Sequence, residues 1–137
     1  MIKEIRHNNN ILAIIIKSNY SKDCVSFFTP DSFSQQLAYM NHNKGKIISA
    51  HRHNLVKREV KYTQEVLVIK SGKLKVNFYD DEENYLESHV LGKGDVILLA
   101  AGGHGFEVLE DLEMYEVKQG PYSADKDKVR FKGIEGQ

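Results

Sequence analysis

The segment KLKVNFYD at residues 73–80 alternates apolar and polar side chains, and this alternation determines the fold class that we predict. In an extended chain, Leu74, Val76 and Phe78 share one face, and the polar residues between them share the other. A period of two residues is typical of a β-strand with one buried face. The segment therefore predicts a strand whose apolar face meets the core.

Similar segments recur along the chain, rich in β-branched and aromatic residues: ILAIII, VSFF, KIIS, EVLVIK, DVILL and FEVLEDLEMYEVK. Turn-forming residues separate them, and two further turns are expected at Ser71-Gly72 and at Glu110-Asp111. Residues 30–40 fit either a short helix or a strand from Gln35 onward, and we favour the strand. Short strands at roughly ten-residue spacing predict an all-β sandwich or barrel. The last fifteen residues, SADKDKVRFKGIEGQ, are expected to form an exposed tail or a peripheral strand.

The length and composition indicate one globular domain that spans residues 1–137. Nineteen basic and nineteen acidic residues cancel, so we expect neither nucleic acid nor membrane as a partner. The apolar run ILAIII has six residues, too few to span a bilayer. A single cysteine, Cys24, forms no internal disulfide and is typical of a reducing compartment. These features predict a cytoplasmic protein.

Three histidines and a glutamate suggest a metal site. His51 and His53 are two residues apart, so on a strand their rings point to the same face, about 7 Å apart. Glu65 opens the apolar run EVLVIK, and His104 follows the tight turn AAGG. Imidazole and carboxylate groups that face a core need a partner, and a metal ion supplies one. We therefore predict that these four side chains bind one divalent transition metal ion.

The same residues resemble the two motifs of the cupin superfamily, G-x5-H-x-H…E-x6-G and G-x5-P-x-G-x2-H. The chain contains Gly45-x5-His51-x-His53, then Glu65-x6-Gly72, then Gly94-x5-Ala100-x-Gly102-x-His104. The resemblance covers roughly residues 35–118. It implies a double-stranded β-helix, or jelly-roll barrel, with its core motifs in residues 45–118. It also implies a mononuclear site of His51, His53, Glu65 and His104 that carries iron, manganese, nickel or zinc.

The eleven residues between His53 and Glu65 (54–64) are longer than the family spacing. We expect this segment to leave the barrel wall as a loop or hairpin near the barrel mouth. Its basic residues would then attract an acidic or phosphorylated sugar; they are Lys57, Arg58 and Lys61. Two alternatives are that the segment extends the sheet or embraces a second subunit. Glu59 is the alternative metal ligand within it.

The sequence suggests a small-molecule ligand without identifying it. The segments EMYEVKQGPY and DKDKVRF resemble small cupins of the WbuC type, which accompany bacterial surface-polysaccharide genes, and this implies a sugar or another small polar carbonyl or hydroxyl compound. Three functions fit: a metal-dependent isomerase or epimerase, a non-haem iron dioxygenase, and a non-catalytic binding module. Apolar residues on both faces of a strand, such as Val66 and Val68 opposite Leu67 and Ile69, predict a homodimer.

Overall fold

The computed structural model describes residues 1–137. It contains eight β-strands and no helix, which confirms the predicted all-β class. The strands are β1 (Ile2–His7), β2 (Asn10–Ile16), β3 (Cys24–Phe27), β4 (Ala38–Asn41), β5 (Glu65–Tyr79), β6 (Tyr85–Leu91), β7 (Val96–Leu99) and β8 (Gly103–Lys118). Residues 30–40 contain the start of β4 rather than a helix, as favoured from the sequence. No helix of a length and hydrophobicity suited to crossing a membrane is present.

Six strands form one antiparallel sheet that curls into a half-barrel. Their order is β1-β2-β7-β5-β6, and β8 pairs with the other side of β5. β3 and β4 form a separate two-stranded sheet. Because β5 is the only neighbour of β8, the whole length of β8 is an edge of the half-barrel.

The inner face of the curled sheet carries the main core. Leu74, Val76 and Phe78 lie within it, as the alternation predicted, together with inward residues of β1, β2, β6 and β7. The outer face of β2 and β7 is also apolar, and side chains from residues 20–37 pack against it. The chain therefore covers this outer face, including Val66, with its own side chains. The apolar residues on this face are thus not by themselves a reason to expect a dimer.

The two longest strands pair from end to end, from Glu65 opposite Lys118 to Tyr79 opposite Gly103. The turns predicted at Ser71-Gly72 and at Glu110-Asp111 are wrong, because both strands continue through these positions. The two pairs of residues lie close to each other across the ladder, where the register shifts and forms a bulged region. The turn-forming residues of the two strands thus lie opposite each other and bend the β5/β8 ladder without ending either strand.

Gly72 permits this irregularity. Its φ of +86° lies in the left-handed region, and a Cβ atom there would be 2.0 Å from the carbonyl oxygen of Asp111. Only glycine combines such a φ with such a close approach of the partner backbone at little cost. The Glu65-x6-Gly72 spacing of the sequence motif thus ends at the bend of the β5/β8 ladder.

Residues 42–62 form a segment outside the strands, with a turn at residues 44–45, that we call the arm, and every residue in it is exposed. The strand predicted for KIIS is wrong, since no neighbouring strand pairs with its backbone groups. The backbone hydrogen bond within the arm is local and runs from Lys46 N to Asn43 O at 3.1 Å. His51 and His53 therefore lie in the arm and not on a barrel strand.

The C-terminal segment packs against the half-barrel instead of forming a loose tail or a strand. The hydroxyl of Tyr79 donates a hydrogen bond to Glu135 Oε1 at 2.6 Å and accepts one from Ile134 N at 2.8 Å. The ring of Phe131 meets the ring of Tyr79 edge-on, with centroids 5.0 Å apart. Burial raises the pKa of Tyr79, and the hydrogen bond to Glu135 adds to this effect. The tail is thus held by side-chain contacts to the end of β5.

Asp95 is a buried carboxylate that ties the β6–β7 turn to the end of β2. It accepts hydrogen bonds from Ser18 N and Gly92 N, both at 2.8 Å, and it pairs with Lys17 Nζ. Burial acts to raise its pKa, but the hydrogen bonds from Gly92, Lys17 and Ser18 outweigh burial and lower it. Because the folded state favours the ionised form, this stabilisation is complete above the usual pKa of 3.8 and is lost as the pH falls through the lowered value.

Replacing Asp95 with asparagine is expected to lower the free energy of unfolding by about 2 to 3 kcal/mol at pH 7, since the amide cannot accept from every donor. Chemical denaturation at several pH values measures the effect. The difference from the natural chain should shrink as the pH falls below 3.8. Asp81→Asn, at an exposed turn position, is the matched control. Equal stabilities of the two variants at pH 7 would contradict the assignment.

Candidate functional site

The curl of the half-barrel brings together residues from the two ends of the β5/β8 ladder. Glu65 pairs with Lys118 at one end, and His104 pairs with Phe78 at the other. Nevertheless, Glu65 Oε2 lies 3.5 Å from His104 Nε2. The strand β7 links the ends, because Leu99 pairs with Glu65 and precedes His104 by a short turn. Two of the four predicted site residues therefore lie in direct proximity.

A cavity of about 500 Å³ surrounds this pair. This volume lies within the range of small-molecule sites, about 300 to 1,000 Å³. Only three of the fourteen lining residues are hydrophobic, so the cavity is more polar than most ligand pockets. The polar lining side chains come from β5, β8, the arm's base and the tail, and include Thr63, Glu65, His104, Lys118, Asp127, Lys128, Arg130 and Glu135.

The charges around Glu65 keep it ionised. Its pKa is lowered first by the interaction with His104, against the opposing effect of burial, and further by the positive charges of Lys118 and Lys128. Lys118 Nζ lies 3.8 Å from Glu65 Oε1 and 3.3 Å from Asp127 Oδ2. The contact with Asp127 raises the pKa of Lys118. The site thus holds a carboxylate, an imidazole and an ammonium group within one network.

The residues of the sequence Gly103-His104-Gly105 alternate between the two faces of β8. His104 shares the inner face with Phe106, and their rings stack with centroids 5.2 Å apart. The flanking glycines point to the other face, where Glu135 would meet a Cβ on Gly105 at 1.8 Å and Phe131 would meet one on Gly103 at 3.0 Å. The absence of side chains at these glycines therefore provides the space for the tail.

His51 and His53 form a second pair within the arm, with ring centroids 5.3 Å apart. The Nδ1 atom of His51 lies 2.9 Å from the carbonyl oxygen of Ser49. A carbonyl oxygen only accepts, so Nδ1 is the donor, and in the neutral ring Nε2 then keeps the lone pair that can bind a metal. No group of three or more His, Cys, Asp or Glu side chains suited to metal binding occurs in the chain. Binding by all four predicted residues stays a prediction.

The segment 54–64 behaves in part as expected. Residues 54–62 project into solvent, and Thr63 lines the cavity. The basic residues Lys57, Arg58 and Lys61 do not line it. Glu59, the alternative ligand, is exposed and lies 3.8 Å from Lys61. The positive charge inside the cavity comes instead from Lys118, Lys128 and Arg130.

Sequence reasoning did not identify the tail as a wall of the site. Asp127 and Glu135 lie in a polar, charged segment that resembles an exposed terminus. Phe131 and Ile134 were the available signal, since apolar residues in a polar tail indicate a packed contact. The hydrogen bonds of the Tyr79 hydroxyl to Glu135 and Ile134 show where that packing occurs.

Comparison of the chain with protein-family models, with curated proteins and with solved structures finds no match. The chemistry of the cavity is therefore the basis for a functional assignment.

Proposed function

We propose that the protein binds a small, polar carbonyl or hydroxyl compound, such as a sugar or sugar derivative, and acts on it as a metal-dependent isomerase or epimerase. The ligand would occupy the cavity where the ends of the half-barrel meet. The observation that supports this most directly is the contact of Glu65 Oε2 with His104 Nε2 at 3.5 Å inside that cavity.

The lining of the cavity favours a polar ligand over an apolar one. Desolvating hydroxyl and carbonyl groups is costly unless the site supplies hydrogen bonds, and this cavity offers donors and acceptors on every side. Lys128 has no ion-pair partner, unlike Lys118, which contacts both Glu65 and Asp127. An acidic group on the ligand would be held by Lys128 at the tail side of the cavity.

Glu65 and His104 have the properties of a pair of metal ligands. Glu65 is ionised at neutral pH because its pKa is lowered, so it offers a negative charge to a cation. The Nε2 atom of His104 lies beside it and is the kind of nitrogen that binds divalent transition metals. A lining carboxylate outside this ligand set, such as Asp127, would remove a proton next to the ligand carbonyl. Return of the proton to the neighbouring carbon would give an isomer, and return to the opposite face of the same carbon would give an epimer. Lys118 would stabilise negative charge that develops on the ligand oxygen.

The residues fit a divalent metal in part. Two ligands of one metal ion are about 3.0 to 3.5 Å apart, which matches the separation of Glu65 Oε2 and His104 Nε2. A stable site needs at least one further protein ligand, and the available lone pair on His51 has the right chemistry. His51, His53, Glu65 and His104 would hold the ion, which would polarise a ligand carbonyl or hydroxyl as a Lewis acid. A jelly-roll barrel would result if the arm paired with the half-barrel.

Exchange of carbon-bound hydrogen tests this function. We expect the protein, supplied with Mn(II) or Zn(II) in D₂O, to exchange hydrogen next to the carbonyl of some member of a panel of neutral, acidic and phosphorylated sugars, as measured by NMR without oxygen. Binding of a sugar without exchange would instead indicate a binding module. Conversion that needs both Fe(II) and oxygen would indicate a dioxygenase. If no panel member stabilises the protein against heat, the proposed ligand class is wrong.

A further inference from the structure

Every residue of the arm is exposed, although His42, Asn43 and Lys46 line a pocket with Asp23 and Cys24. Several of its exposed side chains are large and apolar: Ile47, Ile48, Leu55, Val56, Val60 and Tyr62. Such a concentration of apolar surface on an extended segment normally has a partner. The length of the arm, residues 42–62, gives it an extended reach of about 70 Å.

The edge of the half-barrel offers a matching surface on β8. The backbone of β8 pairs with β5 on one side only, so its other side presents unpaired donors and acceptors. Val108 pairs with the core residue Leu74 and so shares its inward face, yet Val108 is 62% exposed. Leu109, Tyr115 and Val117 on the same strand are also exposed. The half-barrel is therefore open along β8.

The charges of the arm and of β8 are complementary. The arm carries six basic residues and one acidic residue, Glu59; the basic ones are Lys44, Lys46, Arg52, Lys57, Arg58 and Lys61. The strand β8 carries one basic residue, Lys118, and five acidic ones, Glu107, Glu110, Asp111, Glu113 and Glu116. Three of these acids pair with lysines of β5, whereas Asp111 and Glu116 have no ion-pair partner. A basic arm would be attracted to an acidic edge.

The chain's own arm does not occupy this edge. It ends beside Gln64, whose carbonyl oxygen accepts a hydrogen bond from Gln119 N at 3.0 Å next to the end of β8. The arm would have to cross over the end of that strand to reach the free edge. Gln64 is buried, and its side chain accepts hydrogen bonds from Gln35 N at 3.0 Å and Ser34 Oγ at 3.3 Å. Thr63 donates to Asp127 of the tail at 3.4 Å, next to the cavity. A second copy carries the same acidic edge and is present at the same concentration. Reciprocal exchange between two copies covers both arms and both edges and closes the assembly.

We propose that the arm of one copy pairs with the edge of β8 in a second copy, and that His51 and His53 of the arm complete the metal site formed by Glu65 and His104 of that second copy. Because the curled ladder brings both ends of β8 to the cavity, an arm lying along this edge runs toward the site. The inference rests on the proposed metal-dependent function for the role of the histidines. It assigns two composite sites to each dimer.

A mixed dimer tests the origin of the ligands. One chain carries His51→Ala and His53→Ala, and the other carries Glu65→Gln and His104→Ala, each with a different affinity tag. Ligands donated between copies leave one intact site in the mixed dimer, because the natural histidines of the second chain meet the natural Glu65 and His104 of the first. We expect one Zn(II) per mixed dimer after desalting, two per natural dimer, and none in either parent homodimer.

The possible results separate this inference from the proposed function. No Zn(II) in the mixed dimer, with two in the natural dimer, would show that each site uses one chain and would overturn the exchange. The absence of Zn(II) from the natural protein would contradict both the metal-dependent function and the shared site. The arm contact is tested independently, by measuring the size of the assembly. Leu55→Asp and Ile48→Asp should convert the dimer to a monomer in light scattering, and Asn54→Asp should not. A natural protein that is monomeric, or a dimer indifferent to these arm substitutions, would overturn the arm contact.

Discussion

Replacing Gly72 with alanine is expected to lower the free energy of unfolding by about 2 to 5 kcal/mol, a large part of the 5 to 15 kcal/mol typical of a domain. A positive φ costs alanine about 1 to 2 kcal/mol. The added Cβ would also lie 2.0 Å from the carbonyl oxygen of Asp111 and 2.9 Å from the Cα of Leu112, so paired backbone must move. Such overpacking costs about 1 to 3 kcal/mol more. Thermal and chemical denaturation followed by circular dichroism measure the loss.

Gly45→Ala is the control for the backbone conformation alone. Gly45 has a φ of +92°, but no atom lies within 4 Å of the position that its Cβ would take. We expect this variant to lose only the cost of the backbone conformation, about 1 to 2 kcal/mol. If the Gly72 and Gly45 variants had the same melting temperature, the close approach of β8 would not explain why glycine is required at the bend.

Replacing Glu65 with glutamine is expected to reduce the turnover of the proposed enzyme by about 100-fold, because a neutral amide has nearly the same shape but is a poor ligand for a divalent cation. The pH dependence of the natural protein provides a second readout. Since the pKa of Glu65 is lowered, its base form is complete above the usual value of 4.5 and is lost only as the pH falls below it. Turnover should therefore show no loss from Glu65 protonation at neutral pH.

The control for this substitution is Glu82→Gln, in an exposed turn between β5 and β6. It should retain turnover, and both variants should unfold within about 1 kcal/mol of the natural protein, as expected for substitutions without a cavity. Metal content is measured separately by elemental analysis after desalting, since loss of a ligand should lower bound metal together with turnover. Full turnover and full metal content in the Glu65 variant would contradict its role as a metal ligand.

Much of the fold follows from local patterns. The alternation at Leu74, Val76 and Phe78 predicts the inward face correctly, because burial on one side of a strand is recorded in the sequence itself. Ser71-Gly72 and Glu110-Asp111 misled the prediction because turn preferences describe single segments. The pairing of β5 with β8 overrides them, and this pairing joins residues distant in sequence.

The candidate site was predictable to a lesser degree. Glu65 and His104 were both identified from their positions at strand starts, and the curl of the sheet brings them together. The placement of His51 and His53 on a strand was wrong, since a strand needs a neighbour to satisfy its backbone and this chain supplies none to the arm. The packing of the tail was not predicted, because it depends on the space left by the glycines Gly103 and Gly105. A pattern of apolar residues does not indicate such a space.

The curl of the β5/β8 ladder has a mechanical consequence for the ligand. Near the cavity, the separation of Glu65 and His104 is held by the short link to His104 from Leu99, which pairs with Glu65. On the far side of the half-barrel, the bend at Gly72 against Asp111 holds the second path between them. A bulky ligand that pushed the two side chains apart would strain both paths, so the stiffness of the sheet would help to limit the size of the ligand.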